Sequence, residues 1–326
     1  MNISKDVIAG NNKNYIKFRS LIENYGIGFL VIIIISIFGI LNPRFISVGN
    51  ILNFSRQIVP IGFIALGAMF ILIGGGLDLS LGVGATITGA IMGVVFYLTG
   101  NIFLSIILCI FSGLVIGATD GLLITKLNFS PVIATLAMMV ILQGVIQLIL
   151  GGRILYVDSP VLKHISRGTV GKIPFAFIFL MIFYILSYFI LEHTKYGIYS
   201  RAIGGDENNA KIAGINIPLI KFFSYIIAAF LMCMSGIVLV SRMALISPAM
   251  SGFPMLLDGF SAAVIGGTSV TGGKGNVVGV FLGVIFIGII TNALVFIKVP
   301  SEAQDLYRGL LIVFALIFER SVRMRK

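Results

Sequence analysis

The stretch richest in groups that could do chemistry is Gly266-Gly267-Thr268-Ser269-Val270-Thr271-Gly272-Gly273-Lys274-Gly275. Glycine amides followed by a lysine suit a phosphate cradle, but that cradle also needs glycine five residues before the Gly-Lys pair and serine or threonine just after it. Those two positions hold Thr268 and Gly275, so the chain is not expected to bind ATP itself. Catalysis has no constellation either. His164 and His193 are the only histidines and stand in different loops, and no paired carboxylates have a metal or acid–base spacing. Cys109 and Cys233 both lie inside apolar runs, which leaves disulfide, zinc and lipoprotein readings without support.

Two acids remain. Asp78 sits in a glycine-rich break between apolar runs, and Asp120 sits near the end of the next run but one. A charge at mid-bilayer costs about 2.5–3.5 kcal/mol, so each should face protein, water or a helix terminus. Asp78 suits a cap for a helix opening at Leu79-Ser80-Leu81, accepting its exposed N–H groups. Asp120 suits the cytoplasmic interface. The other reading makes the two acids the proton or sodium site of an ion-coupled secondary transporter.

A loop from Gly204 to Ile215 carries a different signal. Asp206 is a good N-cap, Glu207 complements a helix N-terminus, and Gly214 can close the helix in a left-handed conformation. The expected product is a two-turn helix outside the membrane with Ala210 and Ala213 as its apolar face. A helix so short is unstable alone. Either the protein's own spans or the cleft of a cytoplasmic partner must hold it.

These residues need a scaffold, and composition says which. Of 326 residues, 58% are hydrophobic and 11% charged, and mean hydropathy is +1.09. Soluble domains are about a quarter charged, so the chain cannot cover itself with polar surface. Ten spans of about 20 residues match its apolar share. The expected fold is an all-α polytopic membrane protein of about ten transmembrane helices. The runs are Ile27–Leu41, Val59–Gly74, Leu79–Leu98, Ile102–Ile124, Val132–Leu150, Phe175–Leu191, Phe222–Val240, Phe260–Ile265, Val277–Phe296 and Leu306–Phe318. The eighth is too short to cross, so it must start nearer Met255 or be broken or re-entrant. The first run has no small-residue cleavage site after it and reads as an uncleaved helix.

The formal charge of +11 comes from 23 Lys and Arg spread along the chain. Without a basic stripe interleaved with aromatics, no nucleic-acid partner is expected; loop bias orienting a membrane protein accounts for the charge. Lys5, Lys13, Lys17 and Arg19 precede the first run, and Arg320, Arg323, Arg325 and Lys326 follow the last, which places both termini in the cytoplasm. The loop 151–173 would then be external although it carries Arg153, Lys163, Arg167 and Lys172. The organisation is a cytoplasmic segment 1–26, a transmembrane domain 27–319 with cytoplasmic loop 194–221, and a basic tail 320–326. Gly113, Gly117 and Gly121, and likewise Gly275, Gly279 and Gly283, recur every four residues, a spacing that lets helix backbones approach closely. Ile73–Ser80 also echoes Ile265–Gly272, which suggests an internal repeat with breaks at corresponding positions.

Taken in order, Gly74–Gly82, Pro131–Leu136, Gly205–Gly214, Ala262–Gly275 and Val278-Gly279 resemble the ribose-type permeases of bacterial ATP-binding cassette importers, from about Phe45 to Phe318. The resemblance implies a pore subunit in the bacterial plasma membrane, paired with a second copy or a paralogue and surrounded by lipid. An external sugar-binding protein would deliver substrate. A cytoplasmic ATPase would hold the ATP and Mg, leaving this chain without a cofactor. The family's ATPase-coupling loop falls on Gly204, Gly205, Asp206, Glu207, Ala210, Lys211, Ala213 and Gly214. Pathway or gating positions fall on Gly75, Asp78, Ser80, Thr268, Ser269 and Asn292, and Lys274 should meet the cytoplasm. The chain departs from the family pattern at Asp120-Gly121, where relatives usually carry Asn-Gly, and at Thr291-Asn292, where they carry paired asparagines.

Overall fold

Serine, asparagine, proline and glycine punctuate the apolar runs, and several of these residues mark a helix boundary in the computed structural model. It describes residues 28–250 and 252–300 and a few positions between 303 and 313; the N-terminal basic segment, most of the tenth run and the basic tail lie outside the described residues. Helix α1 (Gly28–Leu41) leads through the turn Pro43–Ile46 to α2 (Val48–Ile73). There follow α3 (Leu81–Thr99), α4 (Ile102–Thr125), α5 (Pro131–Leu150), β1 (Leu155–Tyr156), α6 (Pro160–Arg167), β2 (Thr169–Val170), β3 (Ile173–Pro174) and α7 (Phe175–His193). The chain continues as α8 (Lys195–Gly205), α9 (Glu207–Ile212), α10 (Ile217–Met243), β4 (Leu245–Ile246), α11 (Phe253–Ile265) and α12 (Val277–Phe296). Side chains of Ser47, Asn101, Asn216 and Asn276 accept N–H groups at the starts of α2, α4, α10 and α12, satisfying donors that have no partner within the helix. Gly100 and Gly151 close α3 and α5 at φ +65° and +54°, a region open to glycine without steric penalty.

Seven helices among the described residues, α2, α3, α4, α5, α7, α10 and α12, are long and apolar enough to cross a membrane. The chain is an all-α polytopic membrane protein, with two minute strand pairs among the described residues, β1 with β4 and β2 with β3. Helix α11 starts at Phe253, before Met255, and has 13 residues. At 1.5 Å per residue it reaches only about 20 Å, against about 30 Å of hydrocarbon. Helix α2 starts earlier than hydropathy indicates, because Asn50, Asn53, Arg56 and Gln57 belong to its first turns.

The centre of the bundle is α2, buried without interruption from Ile58 to Ile73. Helix α10 packs on α2, α3 and α4, while α11 and α12 cover α2 from another side. The first glycine ladder is the α4–α10 seam. A β-carbon on Gly113 would overlap Cys233 Sγ, one on Gly117 would overlap the Ala229 methyl and come within 2.8 Å of Tyr225 O, and one on Gly121 would come within 2.8 Å of the Phe222 ring. The second ladder divides. Gly279 and Gly283 press on the carbonyls of Gly266 and Ala262, whereas Gly275 precedes α12 and lies against Ile73. Asn276 caps α12, so the ladder's first glycine falls outside the helix.

Both glycine-rich breaks, 74–80 and 266–276, lie at the end of the bundle that carries α8 and α9: Gly273 N–H donates to Ile73 O at 2.9 Å, and Gly204 of α8 lies against both atoms. The loop 151–173 lies at the opposite end. There β1 pairs with β4, Gln147 reaches Pro248 O at 3.2 Å, and Arg56 reaches Arg167 O at 3.3 Å.

Candidate functional site

The break after α2 turns on Gly75, at φ +75°. Backbone groups exposed by such a break need partners at membrane depth, and Asp78 of the break itself, α5 and α10 supply them. Asp78 Oδ1 accepts Ser80 N–H at 2.7 Å, so the acid holds the turn that leads into α3, while the N-cap position itself is Ser80 and α3 opens at Leu81. Thr135 Oγ1 on α5 accepts Leu79 N–H at 3.0 Å, and Tyr225 O–H on α10 donates to Leu77 O at 3.1 Å. Ser80 Oγ–H donates in turn to Asp120 Oδ2 at 3.2 Å.

Asp78, Ser80 and Asp120 are therefore one buried group. Asp120 is 0% exposed, enclosed by protein, and its Oδ1 has no hydrogen-bond partner among the described residues. Two carboxyl groups converging on one serine repel when both are ionised. Asp120→Asn keeps the acceptor toward Ser80 and removes one negative charge. It should raise thermal stability in detergent by about 1–3 kcal/mol, read as a higher unfolding midpoint; an unchanged or lower midpoint would count against the paired-acid geometry.

Thr268 is also buried, and its Oγ1 has no partner among the described residues. Its N–H donates to Ala263 O at 3.0 Å, and Ser269 Oγ lies 3.2 Å from Thr271 Oγ1. Lys274 is exposed at the same end of the bundle. Asn292 stands elsewhere, at the far end of α12, where it exchanges amide hydrogen bonds with Asn50 at 3.0 and 3.3 Å. The geometry makes Asn292 a tie between α2 and α12 and does not bring it to Asp78, Ser80, Thr268 or Ser269.

The loop from Gly204 to Ile215 forms the expected helix. Asp206 accepts Asn209 N–H at 3.0 Å, Glu207 pairs with Lys221 at 2.6 Å, and Gly214 takes φ +77°. Its apolar face differs from expectation. Ala210 is 3% exposed, packed with Ile203 and Ile217, while Ala213 is exposed and Ile212 is 85% exposed. Ala210 therefore seats α9 on its own protein, and Ile212 is the apolar side chain α9 presents outward. Helix α8 carries α9. Tyr196 at its start bonds Ser224 of α10 at 2.7 Å and sets its ring against Phe70 of α2. Burial pushes the Tyr196 phenol up to about 12, so it remains protonated at neutral pH. Arg201 pairs with Glu192 and donates to Leu191 O at 3.1 Å, fixing α8 to α7.

Sequence reading did not find Thr135, Tyr225 or Tyr196 as partners in these sites. Thr135 stands inside a motif already singled out, which is the one signal that pointed toward it. Tyr196 and Tyr225 announce themselves only through contacts with distant helices.

Long apolar helices, two breaks held by cross-helix hydrogen bonds, and a capped helix outside the bundle define a multi-pass membrane protein. Residues 50–316 match the family described as "Branched-chain amino acid transport system / permease component". The ribose import permease protein RbsC of Haemophilus influenzae is 32% identical over 324 residues, covering 98% of this chain and 100% of the relative. RbsC of Bacillus subtilis is 33% identical over 314 residues, covering 94% and 95%. The L-arabinose transport system permease protein AraH of Escherichia coli is 27% identical over 317 residues, covering 96% and 95%. No solved structure matches. The chain belongs to this family of transport-system permease components. It is a transport subunit rather than an enzyme, and a multi-pass integral protein of the bacterial inner membrane.

Proposed function

We propose that this chain is the permease subunit of an ATP-binding cassette importer that translocates a ribose-like monosaccharide. The observation that carries the reading is α9: a capped, outward-projecting helix with an exposed isoleucine, mounted on α8, which Tyr196 ties to α2 and α10 and Arg201 ties to α7. The similarity to ribose and arabinose permeases supports a sugar as cargo. A cytoplasmic ATPase holding ATP and Mg supplies the energy, and an external binding protein delivers the sugar. A second permease copy or a paralogue completes the pore. The apolar outer faces of α4, α5 and α7, mostly exposed in the single chain, suit lipid. No cofactor belongs to this chain.

Orientation follows from the same reading. With α9 cytoplasmic and α11 counted as a short eighth crossing, the alternation of the described helix ends supports a cytoplasmic start for α1 and an external end for α12, from which the tenth run would return to the cytoplasm. That supports ten crossings and two cytoplasmic termini, and it leaves the basic loop 151–173 external. When the ATPase closes on ATP, α9 moves with it and α8 acts as the lever. Helices packed backbone to backbone along Gly113, Gly117 and Gly121 then tilt as units.

The Asp78–Ser80–Asp120 group favours one second reading, ion-coupled transport by this chain alone. Vesicle uptake separates the two. The importer predicts uptake of radiolabelled D-ribose only with the ATPase, binding protein and ATP present. Uptake driven by a proton or sodium gradient in vesicles holding this chain alone would overturn it.

A further inference from the structure

Three glycine turns from distant parts of the sequence meet without a side chain between them. Gly273 N–H donates to Ile73 O at 2.9 Å, tying the turn after α11 to the end of α2. A β-carbon on Gly204, in the last turn of α8, would overlap both that carbonyl oxygen and Gly273 N. A β-carbon on Gly272 would lie 2.6 Å from Gly204 O, and one on Gly273 would lie 3.1 Å from Gly205 N and Cα. Gly75 completes the set, its β-position 3.7 Å from Gly204 Cα. Gly75, Gly272 and Gly273 hold φ values of +75°, +91° and +77°, where any other residue is strained.

The geometry points to this glycine clasp as the positioning element that carries movement of α9 into the membrane domain. Gly204 stands immediately before the Gly205-Asp206 cap of α9. Its backbone touches the two breaks at once: the one that leads to Asp78 and Ser80, and the one that holds Thr268 and Ser269. Backbones in van der Waals contact cannot slide past one another the way flexible side chains can, because close-packed interiors transmit displacement. A shift of α9 therefore reaches both breaks together. The two segments that echo each other in sequence, Ile73–Ser80 and Ile265–Gly272, are thereby joined to one driver. Gly272 and Gly273 thus act through the turns they touch, without needing contact with substrate.

This inference rests on the importer reading, and its test keeps the two separable. The complex purified with its ATPase and sugar-binding protein is reconstituted, and ATP hydrolysis and radiolabelled D-ribose uptake are measured together. Gly204→Ala should lower uptake per ATP hydrolysed at least about fivefold relative to the unsubstituted complex. Ala202→Ser, which adds one atom to an exposed position of the same helix, should leave that ratio unchanged. Uptake per ATP at the unsubstituted level in Gly204→Ala would overturn the clasp. If that variant does not assemble, spin labels on Ala202→Cys and Lys274→Cys decide, since Cys109 and Cys233 are buried. The label separation should stay within about 2 Å between nucleotide-free and ATP-bound states, and a larger change would overturn rigid coupling. Absence of ATP-driven uptake in the unsubstituted complex would overturn the importer reading itself.

Discussion

Replacing Ile212 with lysine is expected to abolish ATP-driven uptake while membrane insertion and the fold persist. Ile212 is the most exposed apolar side chain of α9, and docking it in a partner's cleft contributes about 1.5–3 kcal/mol. A lysine there would bury an ammonium group and cost more, so affinity for the ATPase should fall by about 100-fold or beyond. The choice of lysine guards against a trivial cause. A cation in the last turn of a helix favours the helix, so α9 itself should remain formed. Ala210→Arg would act differently, by driving α9 off its seat on Ile203 and Ile217. Co-purification of the ATPase with the Ile212→Lys permease, beside uptake, measures the effect. Full co-purification and full uptake would remove Ile212 from the docking surface.

A second large effect is expected at the α4–α10 seam. Gly117→Leu places a side chain where Ala229 and the Tyr225 carbonyl already stand. Overpacking a core costs about 1–3 kcal/mol where side chains can shift, and a backbone carbonyl yields less readily. The variant should give little or no detergent-stable protein on thermal size-exclusion analysis. Gly144→Leu on α5 provides the contrast. Its β-position has nothing within 4 Å and the residue is exposed, and loss of a helix-interior glycine is favourable by up to about 1 kcal/mol. Protein yield and melting midpoint should match or exceed the parent. Equal behaviour of the two variants would mean that the ladder does not set the packing.

Local signals carried most of the sequence reading. The Asp206 cap, the left-handed Gly214 and the α4 ladder each depend on residues within a few positions of one another, and each took the expected form. Ser80 and Asp120, by contrast, are 40 residues apart, and Asn50 and Asn292 are 242 apart. No periodicity announces such pairs. Hydropathy also cut α2 short, because Asn50, Asn53, Arg56 and Gln57 read as a polar loop although Asn50 pairs with Asn292 inside the bundle. The outward face of α9 was misjudged for a related reason. On a two-turn helix, packing decides which small residue turns inward, and Ile203 and Ile217 take Ala210. Gly275 kept the four-residue spacing but lies before the Asn276 cap, so spacing alone could not show where the helix begins.

Photo-crosslinking from position 212 tests the central claim, that α9 is the docking point for an ATPase, most directly. A photoreactive phenylalanine analogue incorporated at Ile212 should yield an adduct with the ATPase in native membranes. The same analogue at Val170, exposed in the loop at the opposite end of the bundle, should yield none. An ATPase adduct at position 170, or none at 212 while ATP-driven uptake persists, would contradict it.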